Sequence, residues 1–263
     1  MKTRIISIIL FCAVIVLSLP LSSCEDKASF ATDLENVNNT PVSTSTATSQ
    51  FVDVPQWATE AVAFVADREI MVGVGNNLFD PQSNITKKEC AATLYRIAGS
   101  PEEIPKKFFC ADLQDSSAWY YKAALWCLNS YVMDYYQIGG PGWEVYFQAD
   151  KVMTRSDVVT AVYRFSLSYL KNIDNVGELT EDKVYTRGDI GTWEEFLSHG
   201  FIDPTKQNIL RAGVTGQAWR WAVKQGIIFG YEDNSLRPEN PVTRAEYAAI
   251  ITRFIKHFDL QFE

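Results

Sequence analysis

The chain is poor in the residues that most enzymes and metal centres require. It has two histidines, His199 and His257, and neither has a cysteine or histidine at ligand spacing. It lacks His-Glu-x-x-His, a glycine-rich phosphate loop and Gly-x-Ser-x-Gly, so no enzyme signature is present and no metal or cofactor is expected. Basic residues are also short, with 24 Lys and Arg against 32 Asp and Glu and a net charge of −8. That balance speaks against nucleic acid as a partner. Long apolar runs are missing after the first twenty residues, and the five cysteines show no tight spacing, which speaks against a disulfide scaffold.

The one apolar run, Ile5 to Leu19, comes after Lys2 and Arg4 and ends in Leu21-Ser22-Ser23-Cys24. It is short for a membrane span and has the basic flank, apolar core and small-residue exit of an export signal over residues 1–23. Its end resembles the lipobox of bacterial lipoproteins, which implies that Cys24 is acylated and holds the protein to a membrane at the cell surface or cell wall. Stable anchoring then requires more than one acyl chain. Residues 24–50, with Asn38-Asn39-Thr40 and Ser43 to Ser49, bury almost nothing and read as a flexible tether. Removing the signal deletes two cations and no carboxylate, which deepens the net charge to −10. Three cysteines remain beyond Cys24. Cys90 and Cys127 fall on apolar helix faces, where a free thiol acts as a small hydrophobe.

Beyond residue 50 the chain is self-similar. Ala61, Ala123 and Ala218 each stand three residues before a large aromatic (Phe64, Trp126, Trp221) and nine before an aliphatic (Ile70, Val132, Ile227). These are recurring points on one amphipathic helix. Gly73 and Gly230 come next and fit a left-handed helix cap, whereas the second repeat has Tyr135 there. A loop leads to Phe79-Asp80-Pro81, Phe147-Gln148-Ala149 and Leu236-Arg237-Pro238. It is longer in the second repeat, where Gly139-Gly140-Pro141-Gly142 marks an insertion. A second helix then carries an apolar stripe that includes Cys90, Val158 and Tyr247, with arginine near its end each time (Arg96, Arg164, Arg253), suited to the helix dipole. The opening segments are Phe51-Val52-Asp53-Val54 and Phe109-Cys110-Ala111-Asp112-Leu113, whose aspartates suit backbone turns. In the third repeat either Asp189 or Asp203 fills that role, within an extra stretch spanning about 166–213.

Each second helix opens on one pattern: Thr86-Lys87-Lys88-Glu89, Thr154-Arg155-Ser156-Asp157 and Thr243-Arg244-Ala245-Glu246. Threonine with a carboxylate three residues on is a capping box and explains itself. The cation between them does not, because it faces the positive end of the helix at a cost of about 0.3–1 kcal/mol when exposed. An anion bound there would meet free backbone N–H groups and the cation together, and arginine offers a carboxylate a two-pronged grip that Lys87 lacks. The alternative is that these cations pair with loop carboxylates of the next repeat. Trp57 and Trp119, one turn before the repeated alanine, suit sugar-stacking walls or the core.

The order Phe-x-Asp-Val, Trp, alanine-rich helix, Gly, Phe-x-Pro and Thr-Arg-Ala-Glu resembles S-layer homology modules. A triplet is implied, with modules at 51–100, 108–170 and 185–258, the last with the insertion. The resemblance implies a mainly α fold, with three helix-loop-helix modules in a pseudo-threefold prism around a central three-helix bundle. It implies a non-catalytic envelope protein whose grooves bind anionic, pyruvylated secondary cell-wall polysaccharide, a peptidoglycan-linked glycan. The implied polysaccharide-binding set is Lys87, Arg155, Arg244, Thr86, Thr154, Thr243, Trp57, Trp119, Gly73 and Gly230. The alternative is an envelope scaffold with degenerate grooves that docks another protein.

Overall fold

Each repeat folds as two helices joined by a loop. The computed structural model describes residues 50–102, 104, 109–138, 144–170, 192–201 and 213–260. The expected leader, Cys24, the expected tether up to residue 49, Asp189 and Asp203 lie outside the described residues. The first repeat supplies α1 (Thr59–Asp67) and α2 (Lys87–Ile97). The second supplies α3 (Tyr121–Asn129), an antiparallel hairpin of β1 (Tyr136–Ile138) and β2 (Glu144–Tyr146), and α4 (Arg155–Phe165), which runs on into a π turn at Ser166–Leu170. The third has α5 (Trp193–Ser198), α6 (Gly213–Lys224) and α7 (Arg244–His257). The described chain is thus mainly helical, and the Gly-rich insertion of the second repeat falls between the strands of its hairpin. Among the described residues no helix is long and apolar enough to cross a membrane.

The first and second repeat helices of one module do not pair with each other. α1 packs on α7, α3 on α2 and α6 on α4, so the first helix of each repeat lies against the second helix of another, in a closed cycle. Just before the three threonines the backbone closes the same cycle with hydrogen bonds. Ile85 N donates to Val242 O (2.8 Å), Val242 N to Met153 O (3.1 Å) and Met153 N to Ile85 O (3.0 Å). The apolar stripes meet inside. Phe254 of α7 contacts Phe165 of α4 edge-on, with centroids 5.8 Å apart, and Trp221 of α6 lies 5.3 Å from Tyr163. Trp219, Trp221, Phe165 and Phe254 are fully buried, and rings of this size carry much of a core's burial free energy.

The first helices end earlier than the glycine pattern predicts. The left-handed residues are Glu69, Tyr131 and Gly226, with φ of 54°, 56° and 65°. The next two amides of each repeat then fold back on one carbonyl: Ile70 and Met71 on Val65 O, Val132 and Met133 on Cys127 O, Ile227 and Ile228 on Ala222 O. Gly73 and Gly230, expected as the caps, have no positive φ. Gly73 is glycine because a Cβ there would stand 2.4 Å from Phe51 Cε1 and 2.5 Å from Leu78 O. At Gly230 the nearest atom would be Phe201 Cε1 at 2.8 Å. Phe201 thus holds in the third repeat the place of Phe51, while both candidates for the opening aspartate, Asp189 and Asp203, lie outside the described residues.

Asp53 and Asp112 hold turns, in agreement with the sequence pattern. Asp53 accepts from the amides of Phe79 (2.9 Å) and Asp80 (2.8 Å), and Asp112 from those of Phe147 and Gln148 (both 2.7 Å). Burial pushes both carboxyls up, but the hydrogen bonds outweigh it and hold them below the usual aspartate value. They steady a left-handed residue, Asp80 at φ 57° and Gln148 at 60°, where β-branched side chains would be strained.

The core also absorbs the cysteines. Cys90, Cys110 and Cys127 are free and buried, with Cys90 Sγ 3.2 Å from Tyr247 Oη across the α2–α7 contact. Burial pushes the Cys90 and Cys110 thiols up to about 12, and Cys110 also donates to Asp112. With Cys12 and Cys24 changed to serine, the native protein is expected to show no thiol reactive to Ellman's reagent at pH 8 and three after guanidinium denaturation. Fast native labelling of any of the three would contradict the packing.

Candidate functional site

The three boxes form as expected. Each threonine amide donates to the carboxylate three residues on: Thr86 to Glu89 (2.9 Å), Thr154 to Asp157 (3.0 Å) and Thr243 to Glu246 (2.8 Å). Their helix starts are not open, however. The first two helical amides donate to loop carbonyls of another repeat: Lys87 and Lys88 to Lys151 O and Ala149 O, Arg155 and Ser156 to Asn240 O and Pro238 O, Arg244 and Ala245 to Ser83 O and Pro81 O. The third is capped by its threonine. The N–H groups that an anion was expected to meet are therefore already used within the chain, in a second cyclic set of inter-repeat bonds.

The cations do the same at longer range. Arg244 Nε donates to Phe79 O (2.9 Å) and Nη2 to Val72 O (2.8 Å), while Nη1 pairs with Glu89 Oε1 at 2.6 Å. Arg155 Nε donates to Leu236 O and Nη2 to Phe229 O, both at 2.7 Å. Lys87 Nζ donates to Asp134 O and lies 4.8 Å from the centre of the Phe147 ring. Val72, Asp134 and Phe229 are equivalent positions, each just before Gly73, Tyr135 or Gly230. The three side chains are buried, Arg155 completely, and burial pushes the Lys87 ammonium below its usual value. The sequence alternative that these cations serve the next repeat is thus close to what is seen, except that the partners are chiefly carbonyls.

The same loops are held from the other side by the arginines near the helix ends. Arg96 Nη1 donates to Ile70 O (3.1 Å), Arg253 Nη1 to Ile227 O (3.3 Å), and Arg164 pairs with the Asp134 carboxylate. Helical periodicity placed these arginines at the dipole; it gave no sign that they clamp the loop of their own repeat.

Between loop and second helix lie grooves of unequal size. The first, about 400 Å³, is lined by Val72, Gly73, Val74, Glu89, Thr93, Arg96, Trp119 and Arg244. Its charged groups are a carboxylate and two guanidiniums beside a 61 % exposed indole. The equivalent groove of the second repeat, between Lys87, Asp134, Asp157 and Arg164, is only about 100 Å³. In the third repeat Tyr231 stands where Val74 stands in the first. Its hydroxyl donates to Glu246 Oε1 at 3.2 Å, and its ring centre is 4.8 Å from the Arg155 guanidinium. Among the predicted site residues, the structure brings Trp119, Gly73 and Arg244 to one groove. Thr86, Thr154 and Thr243 sit in the inter-repeat backbone bridges, Gly230 packs against Phe201, and Trp57 packs half-buried against the core. Among the described residues no cluster of three His, Cys, Asp or Glu is arranged to hold a metal ion.

Comparison with known proteins agrees with this geometry in part. The model of the S-layer homology domain matches residues 51–91 and 220–248. Those segments run from the opening turn or first helix to the capping box of the first and third repeats. The second repeat lies between them, and it departs at Tyr135, at Gln148-Ala149 and by its hairpin. The chain is 27% identical over 187 residues to the cellulosome-anchoring protein of Acetivibrio thermocellus, a match covering 70% of this chain and 35% of that protein. It is 25% identical over 225 residues to the surface-layer 125 kDa protein of Lysinibacillus sphaericus, covering 83% of this chain and 16% of that one. The chain therefore spans about a third or less of the length of these relatives.

Proposed function

We propose that this protein is a non-catalytic envelope protein that binds an anionic, pyruvylated cell-wall polysaccharide through the groove beside Trp119, with Cys24 as its lipid anchor. The observation that carries the reading is the groove itself. A ligand-sized cleft sets an exposed indole face next to Arg96 and Arg244, the pairing that an acidic sugar ring requires. The relatives, named for surface-layer and cellulosome-anchoring roles, support an envelope setting. The cyclic helix packing and hydrogen bonds support a pseudo-threefold prism around a bundle of α2, α4 and α7. In this reading Lys87, Arg155 and Arg244, with their threonines, chiefly hold the repeats together and so shape the grooves. Arg244 also faces the large first groove, and Lys87 the small second one.

Purified wall sacculi provide the test. The protein is expected to sediment with sacculi and to lose retention when ketal-linked pyruvate is removed by mild acid. Trp119→Ala, in an exposed position, is expected to weaken binding at least tenfold, about 1.4 kcal/mol, with unchanged thermal unfolding. Full retention on pyruvate-free sacculi would sink the acidic-sugar reading.

A second reading draws on the second repeat, whose hairpin exposes Tyr136 and Ile138. An envelope protein docking there would co-purify with the chain independently of sacculi. Changing Tyr136 and Ile138 to serine would abolish that partner and leave wall binding intact.

A further inference from the structure

We infer that the groove of the third repeat is filled by the chain's own Tyr231, leaving one glycan site per chain; this rests on the glycan-binding reading proposed for the first groove. The two grooves are related position by position, so each serves as a control for the other. In the first, Val74 lines an open space of about 400 Å³ and Arg244 Nη1 meets Glu89 Oε1 at 2.6 Å. In the third, the residue equivalent to Val74 is Tyr231, and its hydroxyl takes Glu246 Oε1, the counterpart of Glu89 Oε1. Arg155, the counterpart of Arg244, keeps its two carbonyl bonds, and its guanidinium meets Tyr231 where that of Arg244 meets Glu89. The phenol has displaced the ion pair that the first groove keeps.

Two guanidiniums pack against the ring of the tyrosine. The Arg155 guanidinium lies 4.8 Å from its ring centre and that of Arg237 4.0 Å. Arg237 is itself fixed, with Nη2 on Asp233 Oδ2 and Nε on Ser235 Oγ, both at 2.9 Å. A ring in contact with two guanidiniums, with its hydroxyl on a carboxylate, satisfies most of the polar groups that an aromatic-sized or sugar-sized ligand would need. Tyr231 also donates its amide to Ser235 O at 2.8 Å, which ties its backbone into the turn. The second groove, about 100 Å³, is below the size range of small-ligand sites, so it adds no further site.

Calorimetric titration of the full-length chain in detergent, with soluble polysaccharide released from purified sacculi, decides the matter. The native chain is expected to bind one equivalent. Tyr231→Val is expected to bind two, and Tyr231→Phe, which keeps the ring, to stay at one. Val74→Tyr, an exposed position where folding is not at risk, is expected to close the first groove and lower binding to none. A Tyr231→Val chain that folds and still binds one equivalent overturns the inference while the glycan reading stands. If that variant does not fold, undiminished binding by Val74→Tyr overturns the inference equally. A folded native chain that binds none overturns the glycan reading itself.

Discussion

Arg244→Ala is expected to destabilise the protein by about 3–5 kcal/mol, because it removes one partner of a largely buried ion pair and two carbonyl partners at once. The side chain is 7 % exposed and Glu89 25 %. The loss would strand the carbonyls of Phe79 and Val72 together with the Glu89 carboxylate. No nearby side chain replaces the fork, since Arg96, on the other side of the loop, already serves Ile70 O. Urea unfolding followed by tryptophan fluorescence checks this, with the midpoint falling and the slope unchanged. Arg244→Lys should recover part of the loss: the second repeat shows that Lys87 holds the equivalent carbonyl with one ammonium over Phe147. A loss below about 1 kcal/mol for Arg244→Ala would mean that the clamp is incidental.

The same result changes how the grip on glycan is to be tested. Alanine at Arg155 or Arg244 removes the junction between repeats along with any ligand contact, so lost retention on sacculi would not distinguish the two. Trp119 and Val74 are the informative positions, because they face the groove without holding the repeats together.

Much of this was legible in the residues. The threefold spacing of alanine, aromatic and aliphatic located the six repeat helices, and the threonine and carboxylate of each box located three helix starts to the residue. The oddity of a cation in each first turn was also readable, as was its singular status within the box. Its partner was not. Arg244 reaches Val72, Phe79 and Glu89 from more than 150 positions away, and carbonyl acceptors leave no trace in side-chain pattern. The cyclic pairing was hidden for a related reason: a helix stripe shows which face is apolar, not which helix covers it. The contrast between Val74 and Tyr231 was visible as letters but carried no meaning until the groove had a shape.

Gly73→Ala provides the second large effect, and the repeats explain its size. The new methyl would stand 2.4 Å from Phe51 Cε1 and 2.5 Å from Leu78 O. The ring can turn aside, but the carbonyl accepts the amide of Val74 at 2.8 Å and closes the loop that floors the first groove. Moving it displaces Val72 and Val74 on either side of the glycine, and with them the Arg244 bond to Val72 O. A cost at the upper end of overpacking, about 3 kcal/mol, is expected, with loss of sacculus binding at temperatures where the protein remains folded. The second repeat has already made the compensating change. Tyr135 stands at the glycine position, and Cys110 replaces the ring of Phe51 two residues before the turn-holding aspartate. Its longer loop keeps the counterparts of Val74 and Leu78, Tyr136 and Tyr146, paired across the hairpin. Phe51→Cys should therefore relieve Gly73→Ala only in part, since it removes the ring contact and leaves the carbonyl. Full rescue by that one change would place the strain in the ring alone, and no rescue would place it in the backbone, both readable from unfolding midpoints of the single and double variants.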